Sequence, residues 1–189
     1  MRVIAACFGP YAPDTLTSHV SVFSHHFKGF ERLTKLATSS AGKKQHTLKN
    51  TVMALPDKCI IFLGRTFSGH NHDYLMLKQE LPPELDWFAD INVRVDLGYL
   101  GIQSDYRGEQ IDIPTRKPRK SHKHPNPQLS EEQKAANTAL SRIRIFIEHA
   151  IGGMKRYNIL VHTFRNRIEH FEDDVIGICA GLWNLVISY

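Results

Sequence analysis

The residue pattern from about position 130 to position 155 constrains the fold more than any other part of the chain. Apolar side chains recur there at intervals of three and four residues, the spacing that places them along one side of an α-helix. Ser130 followed by Gln133 forms a capping-box pattern, which marks a helix start. We therefore predict a long helix beginning after Ser130, with its apolar stripe facing a core. The stripe consists of Ala136, Ala139, Leu140, Ile143, Ile147, Ala150, Ile151 and Met154.

A carboxylate, Glu148, lies beside this stripe on a second, polar line of the same helix. The line also carries Ser141, Arg144 and Lys155, whose helical spacing from Glu148 places all four side chains on one side. One interpretation is a solvated ion pair between Arg144 and Glu148, worth about 0.2–0.5 kcal/mol at this spacing. The other is a metal ligand or general base, with cations placed to bind phosphate or DNA. The helix alone leaves both open.

Basic charge is concentrated in the second half of the chain. The net charge of +5 and the isoelectric point of about 9.2 favour an acidic partner. The segment "TRKPRKSHKHP" contains no acidic residue, and its composition fits either a solvated loop or a nucleic-acid contact. Its basic side chains are Arg116, Lys117, Arg119, Lys120 and Lys123, and "MKRYNILVHTFRNR" adds Lys155, Arg156, Arg165 and Arg167.

Length and composition predict a soluble globular protein, most simply of one domain. The chain has 189 residues, of which 42% are hydrophobic and 23% charged. No apolar run approaches the roughly 20 residues that a membrane helix needs, and the N-terminal apolar run is too short for a signal peptide. We expect a cytoplasmic protein with no membrane partner. Cys7, Cys59 and Cys179 are isolated, so we expect ordinary thiols rather than a disulfide or a zinc site.

From about residue 42 onward the sequence predicts alternating strands and helices. Two β-rich runs, "HTLKNTVMAL" and "KCIIFLG", flank a turn at Pro56 and Asp57 and predict a hairpin. Helices are predicted for "HDYLMLKQEL" and "FEDDVIGICAGLWNLVISY", and strands for "EQIDIP" and for the residues before Asp96. The fold class is thus α/β, a mixed sheet with helices. Asp96 stands at a strand end, where chemistry collects in such folds, although "DLGY" also fits a simple Asp-initiated turn.

Four stretches together resemble the DDE-type transposases of the insertion-sequence-five and Harbinger-like branch. They are "GKKQHTLKN", "SGHNHD", "VDLGYLG" and "RIRIFIEHAIGGMKRY" followed by "HTFRNR". The resemblance implies a ribonuclease-H-like fold in which two aspartates and a glutamate surround two Mg²⁺ or Mn²⁺ ions. Asp96 matches the second of these acids and Glu148 the third, which makes them the expected catalytic residues and metal ligands. A family signature of tyrosine, arginine, glutamate and lysine falls on Ser141, Arg144, Glu148 and Lys155, with Ser141 departing from it.

The function that the resemblance implies is DNA transposition by metal-dependent phosphoryl transfer, comprising strand cleavage and strand transfer. Two cations about 3.5–4 Å apart suit such in-line displacement at phosphorus. The implied partners are DNA at the element ends and at the target, and a homo-oligomer is compatible with the family. Asp73, in "SGHNHD", is expected to cap a helix rather than bind metal. The expected DNA-binding residues are Arg144, Lys155, Arg156, Arg116, Lys117, Arg119, Lys120, Lys43 and Lys44.

The chain departs from the family pattern at the first catalytic aspartate. That residue should precede "GKKQHTLKN" by about twenty positions, as the resemblance implies, but "VSVFSH" stands there without an acid. We therefore expect a first strand that is missing or degraded, and an uncharged residue or no strand beside Asp96. Residues 1–41 are interpreted as a non-matching leader, out of frame or disordered, and residues 42–189 as the catalytic-domain portion. The alternative to an incomplete transposase, expected to be inactive alone, is a catalytically inactive DNA-binding remnant.

Overall fold

The computed structural model describes residues 19–28, 47–120, 122, 125–162, 164, 166 and 168–189. The predicted α/β class is confirmed, since a mixed sheet is flanked by helices. The strands are β1 (His19–Lys28), β2 (Thr47–Ala54), β3 (Ile60–Leu63), β4 (Phe67–Ser68), β5 (Phe88–Val95) and β6 (Gly108–Asp112). The helices are α1 (Asp73–Glu80), α2 (Ile102–Asp105), α3 (Glu131–Met154) and α4 (Phe171–Ile187).

The strands form one sheet in the order β3-β2-β1-β5-β6, and β4 pairs with the edge of β2. β1 is antiparallel to β2 and parallel to β5, which in turn is parallel to β6. The predicted hairpin of β2 and β3 is confirmed, with Pro56 and Asp57 in the turn. Lys58 completes the turn in a left-handed conformation with φ of 75°.

Each face of the sheet carries its own hydrophobic core, because side chains alternate between the faces along every strand. On one face α1 and the loop after β5 cover Val22 and Val93, and on the other α3 and α4 cover Val52. Polar side chains of β1 and β5, Ser21 and Arg94, alternate with these valines and therefore lie on the face that α3 covers. They form part of the site described below.

The predicted α3 and α4 are confirmed, including the capping box of Ser130 and Gln133. The expectation that the whole apolar stripe of α3 faces a core is wrong for its N-terminal half. Ala136 and Ala139 are exposed, and burial is complete only from Ile147 onward. The reason is that the N-terminal half of α3 borders an open cleft instead of lying over the sheet.

Of the two expectations for the first strand, missing or degraded, the first is wrong. β1 is present, within the segment interpreted as a leader, and lies between β2 and β5. The strand nevertheless contains no aspartate or glutamate, as its sequence HVSVFSHHFK shows. The backbone position of a first strand is therefore occupied without the acid that the resemblance led us to expect.

The N-cap of α1 differs from the prediction as well. His72 is the N-cap residue, and its Nδ1 accepts a hydrogen bond from the backbone N–H of Tyr74 at 3.3 Å. Asp73 is the first helical residue, and its carboxylate accepts from the Lys49 ammonium instead. A charged donor offers a stronger hydrogen bond than a backbone N–H group, which explains why the Asp73 carboxylate bonds Lys49 and does not cap the helix. None of the helices in the described ranges has the length and hydropathy that crossing a bilayer requires.

Candidate active site

Asp96 follows the last residue of β5 and caps a short 3-10 turn at Leu97–Tyr99. Its backbone is extended, with φ of −84° and ψ of 168°, and its Oδ1 accepts a hydrogen bond from the Leu97 N–H group. The two sequence interpretations of Asp96, as a strand end and as a turn initiator, are therefore both correct. One side-chain oxygen serves the turn, and the other faces α3.

Arg144 on α3 contacts both candidate carboxylates. Its Nη1 lies 3.6 Å from Asp96 Oδ2, and its Nε donates to Glu148 Oε1 at 2.8 Å. Because Nε and Nη1 of a planar guanidinium are only about 2.3 Å apart, the two oxygens lie within about 9 Å of each other. The resemblance implies that Asp96 and Glu148 lie close together, and this bound agrees with that implication. The i,i+4 ion pair between Arg144 and Glu148 is also present. The ion-pair interpretation is therefore compatible with a site that contains both carboxylates.

A shallow cleft of about 170 Å³ lies between the end of β5 and the N-terminal half of α3. Ser21 of β1 lines it and pairs with Arg94 in the parallel register, two residues before Asp96. Alternation along the two strands puts these three side chains on the α3 face. Ser21 is uncharged and 7% exposed, and it lies at the level of Arg94, two residues before that of Asp96. The cleft is completed by side chains of Asn137, Ser141 and Arg144.

The donor set of the cleft suits a weakly held hard cation. Within the described ranges no three His, Cys, Asp or Glu side chains converge as a metal site would require. Two carboxylates remain: Asp96, which lines the cleft, and Glu148, which lies outside the lining and is joined to it by Arg144. Their side chains are 35% and 54% exposed. Mg²⁺ retains several waters and is commonly held by one or two carboxylates together with substrate phosphates. The two side chains therefore fit such an ion, although less completely than three acids would.

Arg94 is a cleft residue that the sequence analysis missed. Its side chain is 19% exposed, and its Nε lies 3.7 Å from Asp112 Oδ2 on the neighbouring β6. The signal for it was present in "NVRVD", because Arg94 and Asp96 are two positions apart and therefore share a face of the strand. Together with Arg144 it gives the cleft two guanidinium groups, which suits binding of a phosphate oxygen.

Two of the predicted DNA-binding residues lie away from the cleft. Lys155 is the C-cap residue of α3, and Arg156 follows it with its guanidinium 5.8 Å from the Trp183 ring centroid. Both are exposed, and neither lines the cleft. Its place on the polar line of Arg144 and Glu148 predicts that Lys155 borders the cleft as well. This prediction is wrong, because seven residues of helix advance about 10 Å along the axis from Glu148.

The basic segment is anchored beside the cleft by Asn137. Its side-chain amide accepts from the Thr115 N–H group at 2.8 Å and donates to the Thr115 carbonyl at 2.9 Å. The residues that follow Thr115 are exposed, and Asn137 itself lines the cleft. The exposed basic side chains brought to this edge are Arg116, Lys117, Arg119 and Lys120. The predicted Lys43 and Lys44, like Arg165 and Arg167, lie outside the described residues.

Comparison with known proteins bears on what this cleft is. A family model described as DDE superfamily endonuclease matches residues 33–184. The chain belongs to this family. It is also 32% identical over 156 residues to a protein of Microchaete diplosiphon named "Probable transposase for insertion sequence element IS702". That alignment covers 82% of this chain but 51% of the relative, so the chain spans about half the relative's length. No solved structure matches the chain significantly.

The family match includes both candidate carboxylates. DDE superfamily endonucleases generally use divalent metal ions, which agrees with the donor set formed by Asp96 and Glu148. The matched range begins nine positions before residue 42, the predicted start of the catalytic-domain portion. β1 lies ahead of the matched range, so Ser21 is not covered by the family model.

Proposed function

We propose that this chain is the catalytic-domain portion of a DDE transposase of the insertion-sequence-five and Harbinger-like branch. The proposed activity is DNA transposition by strand cleavage and strand transfer. The observation that carries the proposal is the convergence of Asp96 and Glu148, from a strand end and a distant helix, on the single guanidinium of Arg144. Two carboxylates that share one guanidinium across two elements form a cluster that a hard cation, which commonly takes one or two carboxylates, could occupy.

The strand arrangement supports the finer assignment to a ribonuclease-H-like fold. A central strand, β1, has an antiparallel neighbour on one side and two successive parallel strands on the other. In this arrangement the second acid follows the strand parallel to β1, as Asp96 follows β5. The third acid lies on a later helix that crosses the same end of the sheet, as Glu148 does on α3.

Asp96 and Glu148 would hold Mg²⁺ or Mn²⁺, and the intact family is expected to hold two such ions. A divalent cation supplies Lewis acidity and activates water for attack on a phosphodiester. Arg94 and Arg144 would neutralise phosphate charge within the cleft, as guanidinium groups do in phosphate recognition. The polar side chains of Asn137 and Ser141 would orient the same phosphate by hydrogen bonds.

DNA would follow the basic surface that begins at this cleft. Asn137 holds the start of the basic segment at the cleft edge, and Lys155 and Arg156 extend positive charge to the far end of α3. Such contacts bind phosphates rather than bases, so they supply affinity without sequence preference. The proposed DNA-binding residues are Arg144, Lys155, Arg156, Arg116, Lys117, Arg119, Lys120, Lys43 and Lys44.

The catalytic machinery is proposed to be incomplete. A serine hydroxyl at position 21 carries no charge, so it binds a hard cation more weakly than a carboxylate does. A truncated or frameshifted upstream region would explain this, with the original frame lost ahead of residue 33, where the family match begins, instead of ahead of residue 42 as the sequence suggested. Reading the neighbouring DNA in the other forward frames should then reveal an Asp-Gly-Thr-like segment shortly before the codons for "GKKQHTLKN". If every frame lacks one, the frameshift explanation is wrong.

The second candidate function is a catalytically inactive DNA-binding remnant. It is favoured by Ser21, an uncharged residue on the cleft-lining face of β1. Incubation of the chain with supercoiled DNA and Mg²⁺ separates the two functions, with DNA binding followed in parallel by gel shift. Nicking that EDTA abolishes supports the transposase, binding without nicking supports the remnant, and absence of both contradicts both.

A further inference from the structure

An ion pair between a buried lysine, Lys49, and a half-buried aspartate, Asp73, lies against the loop that carries Asp96. Lys49 of β2 is only 5% exposed. Its ammonium donates to Asp73 Oδ1 at 2.6 Å and to the carbonyl oxygen of Asn71 at 2.9 Å. The pair joins the central part of the sheet to the first residue of α1, and it fixes one oxygen of the Asp73 carboxylate.

The other oxygen of this carboxylate faces Gly98. A Cβ at position 98 would lie 2.5 Å from Asp73 Oδ2, a distance that real Cβ atoms do not reach. Gly98 is the middle residue of the 3-10 turn that Asp96 caps. The Asp73 carboxylate therefore packs directly against the turn from which the Asp96 carboxylate projects.

The next residue of α1 holds the same loop at a second point. The Tyr74 hydroxyl donates to Asp105 Oδ2 at 2.6 Å and lies 3.2 Å from the Gly101 carbonyl oxygen. Gly101 has φ of 103°, in the left-handed region that favours glycine, and a Cβ there would be 3.2 Å from the Tyr74 ring. Asp73 and Tyr74, consecutive residues of α1, thus contact the loop near its start, at Gly98, and near its end, at Asp105.

We propose that Asp73, held by Lys49, is a positioning residue that sets the direction of the Asp96 carboxylate; the inference rests on the proposed role of Asp96. A buried ion pair is a poor source of stability, because desolvation of the charges offsets their attraction. In some proteins such pairs instead select one arrangement of the chain. One Asp73 oxygen accepts from Lys49 and the other packs against Gly98, so Asp73 acts on Asp96 through Gly98 and not as a metal ligand.

The decisive variant replaces both charges with apolar side chains of similar volume, Lys49→Met together with Asp73→Leu. Such replacement commonly preserves or raises stability, so the variant should fold. It should bind Mn²⁺ about tenfold more weakly, measured by water proton relaxation, as expected when support for a ligand is removed. Amide exchange at Leu97 and Tyr99 should accelerate at least about tenfold, because both N–H groups bond to Asp96 in the supported turn.

The matched control is Asn184→Ala, a buried amide that bonds the backbone N–H and C=O of Ile60 far from the loop. It should lower thermal stability and leave Mn²⁺ affinity and exchange at Leu97 and Tyr99 unchanged. The inference is overturned if the double variant retains wild-type exchange at these two amides, or if the control accelerates them equally. If the unaltered chain binds no Mn²⁺, the proposed metal role fails, and exchange at the two amides alone decides the positioning role.

Discussion

Arg144 Nη1 lies 3.6 Å from Asp96 Oδ2, across the gap between α3 and the end of β5. The same guanidinium bonds Glu148 and so stands between two carboxylates, where the proposed cation would bind. Guanidinium and metal ion therefore compete for the same oxygens. A cation that takes the carboxylates would release Arg144, and the guanidinium would then be available to a DNA phosphate.

Replacing Arg144 with alanine should accordingly have opposite effects on the two ligands. Mn²⁺ affinity should rise by a few-fold, about 1 kcal/mol, because the substitution removes a surface ion-pair competitor and the carboxylates repel each other without it. DNA affinity in Mn²⁺ should fall by about tenfold, since the alanine side chain cannot make a charge-assisted hydrogen bond to phosphate. Water proton relaxation measures the first quantity, and fluorescence anisotropy of labelled duplex DNA measures the second.

The exposed Arg142, two positions away on the same helix, provides a charge-matched control. Arg142→Ala should leave Mn²⁺ affinity unchanged, although it removes the same net charge. Weaker Mn²⁺ binding in Arg144→Ala than in Arg142→Ala would show that Arg144 supports the metal site instead of competing for it.

Restoring a carboxylate on β1 should strengthen the site. Ser21→Asp adds an acid on the cleft-lining face two residues before the level of Asp96, with Arg94 and Arg144 near enough to offset repulsion. Mn²⁺ affinity should increase by at least about tenfold, since a third anionic ligand joins two. Isothermal titration calorimetry checks this, with Ser21→Asn as the neutral control of the same shape. Equal affinities for the two variants would place the missing aspartate elsewhere.

The sequence predicted the described fold well where local patterns decide it. The capping box at Ser130, the turn at Pro56 and the acidic first turn of α4 are all short-range signals, and the corresponding elements are present. The pairing of β1 with β5 joins residues about seventy positions apart in the chain. The irregular composition of "HVSVFSHHFK" does not predict that pairing. Together with the absent acid, this is why a missing or degraded strand was expected.

The site was only partly predictable, for a similar reason. The strand end at Asp96 and the helical position of Glu148 follow from periodicity, whereas their common contact with Arg144 depends on how α3 crosses the sheet. Asp73 shows the limit of local rules. Its sequence context fits an N-cap, but a lysine 24 positions earlier in the chain offers a stronger bond.

DNA binding should depend steeply on salt through the basic segment that Asn137 anchors. The double variant Lys117→Ala/Arg119→Ala should reduce the slope of log affinity against log salt by up to roughly 1.8, about 0.9 for each phosphate that is no longer neutralised. Anisotropy titrations between about 50 and 200 mM salt give the slope. Lys134→Ala is the control, because Lys134 is exposed on α3 and pairs with Glu131. An unchanged slope in the double variant would remove this segment from the DNA interface.

Stability should fall as pH rises toward neutrality, because of Glu80 at the end of α1. Burial raises the pKa of Glu80 to about 7 from 4.5, and the nearby Asp173 charge adds to the shift, while the proximity of Thr51 and Arg65 opposes it. Gly64 contacts the carboxyl group so closely that a Cβ there would overlap it. An acid with a raised folded-state pKa binds more protons folded than unfolded, so its stabilising contribution is complete below pH 4.5 and lost as pH passes 7.

The contribution of Glu80 to the free energy of unfolding is at most about 3 kcal/mol, since each unit of pKa shift corresponds to about 1.36 kcal/mol. Glu80→Gln keeps the shape of the neutral carboxyl group and removes its titration, so the free energy of unfolding should become nearly flat between pH 5 and pH 8. Urea denaturation at these two pH values measures it in both proteins. Glu84→Gln, at an exposed position, should retain the wild-type dependence. If Glu80→Gln loses as much stability as the unaltered chain over this range, another group titrates, and the buried carboxyl group is charged in the folded state at low pH.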